Sequence, residues 1–214
     1  KAPMAGILFT LEILLFNISM TSILPLLMST VTATAVSYLF LGRDVAFMST
    51  IDPFVMKNIP YYLILGVFCG FVSLYFTRTT LTLEDKIKSI ENPYKRWAFS
   101  ALMLGLLIYI FPPLFGEGYH ALESLLTGNP VQGLDTSLFA SLLNYKWFVP
   151  IFFLFVLIFK VFAMSFTNAG GGVGGTFGPT LIVGGIAGFV LARVINLTGI
   201  HILPENNFVL VGMA

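Results

Sequence analysis

Residues 168–180 read NAGGGVGGTFGPT, six glycines and one proline in a chain that is otherwise apolar almost throughout. Pro179 suits the first turn of a helix, where its missing N–H removes no intrahelical bond. An apolar run over residues 180–192 follows directly, so the sequence predicts a helix that starts at about Phe177. The first N–H groups of a helix have no intrahelical acceptor and carry the positive end of its dipole, and glycines without Cβ let an ion approach such amides closely. The combination makes a site for an anion that uses no charged side chain. Within a bilayer that choice matters: a buried Lys or Arg would hold an anion tightly and slow its release, whereas partial charges bind weakly enough for passage. The same glycines also suit close helix packing or a turn between two spans, and residue types alone leave these alternatives open. A phosphate-binding loop is a poorer fit, because no GK[ST] follows.

A second stretch, residues 2–12, reads APMAGILFTLE. Pro3 suits a helix start, Ala5 and Gly6 permit close packing, and Glu12 is the only acid in the first apolar run. An ionisable residue at such depth is a functional candidate by default, although Glu12 also suits the end of a short helix at a watery vestibule. Elsewhere the chemistry is thin. His120 and His201 stand alone near predicted loops, and neither HExxH nor GxSxG occurs. The single cysteine, Cys69, excludes an intrachain disulfide and a cysteine metal cluster. No catalytic residue, metal site or cofactor site is expected, and the chain is not expected to be an enzyme.

The elements that must position these residues are set by composition. The chain has 214 residues, 57% hydrophobic and 10% charged, where soluble domains carry about a quarter charged residues. No residue from 13 to 42 is charged, which exceeds the roughly 20 apolar residues that a helix needs to cross a bilayer. A soluble fold would require helices apolar on every side inside a core larger than this chain can build. Apolar runs cover residues 4–41, 61–76, 97–115, 147–166, 180–192 and 208–214. Short and over-long runs broken by Gly and Pro predict tilted and partial helices around a cavity rather than a bundle of uniform rods. Between residues 77 and 96 lie Arg78, Lys86, Lys88, Lys95 and Arg96. This segment is a loop or a solvated helix extension, and the positive-inside rule puts it in the cytoplasm. Residues 116–146 are then outside, with a short helix over residues 121–126, and Trp97 and Trp147 suit interfacial anchors. No basic patch is large enough for nucleic acid. The chain opens on Lys1 and stops within an apolar run, as a piece of a longer protein would.

The two notable stretches together resemble the chloride channel and transporter (CLC) family. APMAGILFTLE is similar to its NAPxAGxLFxxE segment, and GGTFGPTLIVGG to its GxFxP segment and the helix that follows; GEGYHAL, residues 116–122, lies between them as in the family. The resemblance implies an all-α polytopic membrane fold of two inverted repeats, in a homodimer with one anion pathway per subunit. Residues 1–52 would end the first repeat and residues 58–214 begin the second. The backbone amides of Gly175, Thr176, Phe177 and Gly178 would match positions that face the permeating anion, and Glu12 would lie on a proton pathway. Many proton-coupled members have a second acid directly after that glutamate, where this chain has Ile13. The implied function is chloride transport in a plasma membrane, without a cofactor, with a passive channel favoured over an exchanger by Ile13. The implied partners are chloride, membrane lipid and a second copy of the protein. Two alternatives stand beside it: a secondary transporter of another anionic solute, and a membrane scaffold in which the glycines only pack.

Overall fold

A computed structural model describes residues 20–42, 52–131, 139, 142 and 145–214. Contacts divide the chain into two compact units, residues 1–47 and 48–214.

The described part of the first unit is one helix, α1 (Met20–Leu41). The window Ile23–Phe40 is long and apolar enough to cross a membrane, and none of it is buried within the structure. Three of its hydroxyls are satisfied by the helix itself: Thr30 donates to the carbonyls of Leu26 and Leu27, Thr32 to Met28 and Thr34 to Thr30. Such back-bonding lets polar residues sit in an apolar medium without an unmet hydrogen bond.

The regular elements among the described residues of the second unit are all helices. A 3₁₀ turn (Met56–Asn58) leads into α2 (Ile59–Lys88). The helices α3 (Pro93–Ile110), α4 (Tyr119–Leu126), α5 (Phe148–Gly170), α6 (Phe177–Thr198) and α7 (Glu205–Met213) follow, with a second 3₁₀ turn (Pro112–Leu114) after α3. Their lengths run from 8 to 30 residues, the uneven set that the broken apolar pattern predicts. With α1, the segments Met56–Lys88, Phe148–Gly170 and Phe177–Thr198 have the length and hydropathy to span. The charged segment after residue 77 is helical as far as Lys88 and not a loop. The reason is length: the 30 residues of α2 extend about 45 Å, whereas the hydrocarbon core is about 30 Å thick. The end that overshoots carries the charges, including the Lys88–Glu84 pair at 2.7 Å. A four-residue break follows, in which the Asn92 side chain caps α3 by accepting from the amides of Tyr94 and Lys95.

Helices α5 and α6 form the core. More than half of α5 and half of α6 are buried, with Phe152, Phe153, Phe189 and Ile186 at 2% exposure or less. Phe111, at the end of α3, stacks among Phe152, Phe155 and Phe159 with centroid distances of 5.3 to 6.3 Å. Helix α7 lies against α6 with almost no space between backbones: a Cβ at Gly184 would overlap the Gly212 carbonyl, and one at Gly188 the Phe208 carbonyl. Small residues four apart are the usual means of bringing membrane helices this close. The connection between them is tied by side chains. Asn196 donates to the Leu203 carbonyl and accepts from the Leu203 amide, while Arg193 pairs with Glu205 at 3.1 Å.

Candidate anion site at the start of helix α6

The glycine-rich segment divides into two functions. Gly171 terminates α5 with φ +111°, and the amide of Gly172 returns to the Thr167 carbonyl at 2.9 Å. This is the usual left-handed helix exit, in which glycine has no steric cost. A Cβ at Gly172 would come within 2.8 Å of that same carbonyl oxygen, so glycine is needed there for the backbone alone. Gly175 and Gly178 are different. A Cβ at Gly175 would meet nothing within 4 Å, and one at Gly178 would make only ordinary contacts with Tyr119 and Glu117. Neither packs against a helix, whereas Gly184 and Gly188 do.

Helix α6 starts at Phe177, as the sequence predicts, with Thr176 as its N-cap. No side chain caps it, and its first turn contains no acid. Its backbone ladder opens with the Thr180 amide on the Thr176 carbonyl at 3.0 Å, and Pro179 has no amide to donate. The amides of Gly175, Thr176, Phe177 and Gly178 therefore all precede the ladder, at the positive end of a 22-residue helix.

Two cavities flank this turn, and Phe177 borders both. The smaller, of about 500 Å³, is lined by Gly174, Gly175 and Gly178 together with Lys160, Glu117 and Asn168. Lys160 is 2% exposed, and its Nζ donates to the Gly116 carbonyl at 2.8 Å and the Leu114 carbonyl at 3.3 Å. These bonds hold the ammonium in place between α5 and the turn before α4. The Oδ1 of Asn168, at the same cavity, is buried without a hydrogen-bond partner. Burial first, and then the neighbouring Glu117 carboxylate, push the Tyr119 hydroxyl above the ordinary phenol range. The larger cavity, of about 620 Å³, lies between the start of α6, one face of α2 and the end of α7. A compact cation, a helix start and glycine-lined backbone thus share one cavity wall, with the Glu117 carboxylate also bordering it.

The four amides named from the sequence come together at this one turn. Lys160 is not singled out by the sequence analysis because the run 147–166 reads as apolar; the signal is present, since an ionisable residue inside a span is a functional candidate by default. His120 lies in the first turn of α4. His201 lies in the α6–α7 connection, its Nε2 3.0 Å from Asn58 Oδ1 and its ring stacked on Tyr61 at 5.3 Å. Cys69 is on α2, bordering the larger cavity. Glu12 and Ile13 lie outside the described residues.

The family model described as voltage gated chloride channel matches residues 1–214, the whole chain. The chain belongs to the voltage-gated chloride channel family. Among its relatives is the chloride channel protein CLC-e of Arabidopsis thaliana, 29% identical over 239 residues, a match that covers all of this chain and 32% of that protein. Another is the voltage-gated ClC-type chloride channel ClcB of an Escherichia coli strain, 28% identical over 200 residues, covering 92% of this chain and 44% of ClcB. A solved structure described as a CLC-type fluoride/proton antiporter superposes with a TM-score of 0.66 at 21% identity, over 92% of this chain and 44% of that one. The helices therefore have the fold of this family, and the chain is an integral membrane segment that spans 32% to 44% of the length of these relatives.

Proposed function

We propose that this chain forms part of the anion pathway of a chloride-transporting membrane protein. Chloride would be held by the backbone amides of Gly175, Thr176, Phe177 and Gly178, with membrane lipid around the helices and a second copy as partner. The observation that carries the reading is the start of α6: no side chain caps it, Gly175 and Gly178 have no packing duty there, and cavities open on both sides of it. A scaffold that used these glycines for packing would press them against a neighbouring backbone, as Gly184 and Gly188 are pressed against α7. Lys160 adds positive potential from one side while its own hydrogen bonds to carbonyls keep it from closing on the anion as a full ion pair.

In this reading residues 1–52 end one inverted repeat and residues 58–214 begin the other, in a homodimer in a plasma membrane with the basic end of α2 in the cytoplasm. The transport is passive, because Ile13 directly after Glu12 has no proton to relay. The test is chloride efflux from liposomes holding the full-length protein, with pH recorded on both sides. Efflux without proton movement is the expected result. Uphill proton movement driven by chloride would rule out the passive form, and competition by organic acids with no chloride efflux would assign the site to another anionic solute.

A further inference from the structure

The cavity of about 500 Å³ beside the first turn of α6 is bordered by two opposite charges, Lys160 and Glu117. They are the only charged side chains among the described residues that line it. A buried ammonium beside the α6 amides would, by itself, hold an anion too tightly for passage. Its charge needs an offset that does not fill the site.

Glu117 is fixed relative to both the lysine and the helix start. It lies between Gly116 and Gly118, which take φ of +60° and +88°, a turn that favours glycine. The Gly116 carbonyl accepts from Lys160 Nζ at 2.8 Å, and a Cβ at Gly118 would lie 3.5 Å from the same nitrogen. Lys160 thus ties down the turn that carries Glu117. On the other side, the carboxyl carbon of Glu117 lies 3.7 Å from where a Cβ of Gly178 would stand, and so within about 6 Å of the Gly178 amide nitrogen. The Tyr119 hydroxyl is 3.6 Å from the same point. The ion pairs among the described residues are Lys88–Glu84 and Arg193–Glu205, so Glu117 and Lys160 share the cavity without closing on each other. Both charges therefore act on whatever binds at the amides.

We propose that Glu117 is the counter-charge that tunes this anion site: it offsets Lys160 and leaves the α6 amides to bind an anion weakly enough to release it. The inference deepens the proposed function and rests on it for the identity of the anion. With Glu117 ionised the side-chain charges that border the cavity cancel; without it the positive charge of Lys160 stands alone.

The test uses the full-length protein and chloride as the probe, with binding read by titration calorimetry in detergent and flux read from liposomes. Glu117→Gln keeps the size of the side chain and removes its charge. Like charges about 6 Å apart near a protein surface alter an affinity by roughly tenfold to a hundredfold, and the exposure of Glu117 puts this pair at the lower end. Glu117→Gln should therefore tighten chloride binding about tenfold and lower the maximal flux, because release slows. Glu117→Ala should tighten binding to a similar degree, whereas a purely structural role would make the alanine variant bind more weakly and leave the glutamine variant unchanged. Unchanged or weaker chloride binding in Glu117→Gln would overturn the assignment while leaving the α6 amides as the site. Tighter binding in a protein that moves no chloride would keep Glu117 as the counter-charge and refute transport, and a wild-type protein that binds no chloride would refute both.

Discussion

Two glycines, one just before α6 and one within it, should respond in opposite ways to one added methyl group. At Gly188 the Cβ of alanine would overlap the Phe208 carbonyl and lie 3.1 Å from the Val209 amide. The opposing atoms are backbone, so no rotamer change relieves the clash and α6 and α7 must move apart. Overpacking of a tight core is unfavourable by about 1–3 kcal/mol, and the rigid partner puts this site at the upper end. Alanine recovers about 1 kcal/mol of helix propensity over glycine. The balance is about 2 kcal/mol against Gly188→Ala, about a thirtyfold loss in the folding equilibrium. At Gly175 the added methyl meets nothing within 4 Å, and the residue is not among the glycines with positive φ. Alanine there narrows the unfolded ensemble, a gain of about 0.4–1 kcal/mol, but puts a methyl where an anion would approach the amides. Gly175→Ala should therefore keep or slightly raise the thermal midpoint of the detergent-solubilised full-length protein and lower its chloride flux. Gly188→Ala should lower the midpoint. Equal destabilisation by the two substitutions would refute the division between packing and site glycines, and unimpaired flux in a folded Gly175→Ala protein would refute the role of the α6 amides.

Other perturbations test the surrounding structure. Lys160→Met should strand the Gly116 and Leu114 carbonyls, destabilising by about 1–3 kcal/mol, and should lower chloride conductance by removing positive potential beside the helix start; single-channel or flux measurement against a thermal midpoint separates the two effects. Phe111→Ala should be among the most damaging core changes, about 3–5 kcal/mol, because Phe111 sits among Phe152, Phe155 and Phe159; a thermal midpoint within a degree of the wild type would contradict the packing. Asn196→Ala removes three hydrogen bonds in the α6–α7 connection, to the Leu203 backbone at 2.7 and 3.0 Å and to Glu205 at 3.0 Å. Proteolysis between residues 198 and 205 should quicken in that variant and leave the α5–α6 contact protected.

Much of this protein could be read from one strand of letters. Charge-free length dictates membrane spans, because no unpaired backbone survives in hydrocarbon and only helices satisfy it locally. The start of α6 is legible to the residue, since Pro179, the glycines before it and the apolar run after it all bear on local backbone geometry. The short α4 is legible for similar reasons. The end of α2 is harder: charges report contact with water, and a helix that outruns the bilayer meets water while remaining helical, so the boundary at Lys88 depends on helix length and not on composition. What each glycine does was not legible at all. Gly172, Gly175 and Gly188 are the same residue in the sequence; only the position of the Thr167 carbonyl, of empty space and of the Phe208 carbonyl separates a helix exit, an open site and a packing contact. The same holds for Lys160, which is made tolerable by two carbonyls that lie more than forty residues earlier in the chain. Local pattern determines which segments become helices and where they begin. Which side chains those helices bring to one cavity is decided by long-range packing, and such packing has no local signature in the sequence.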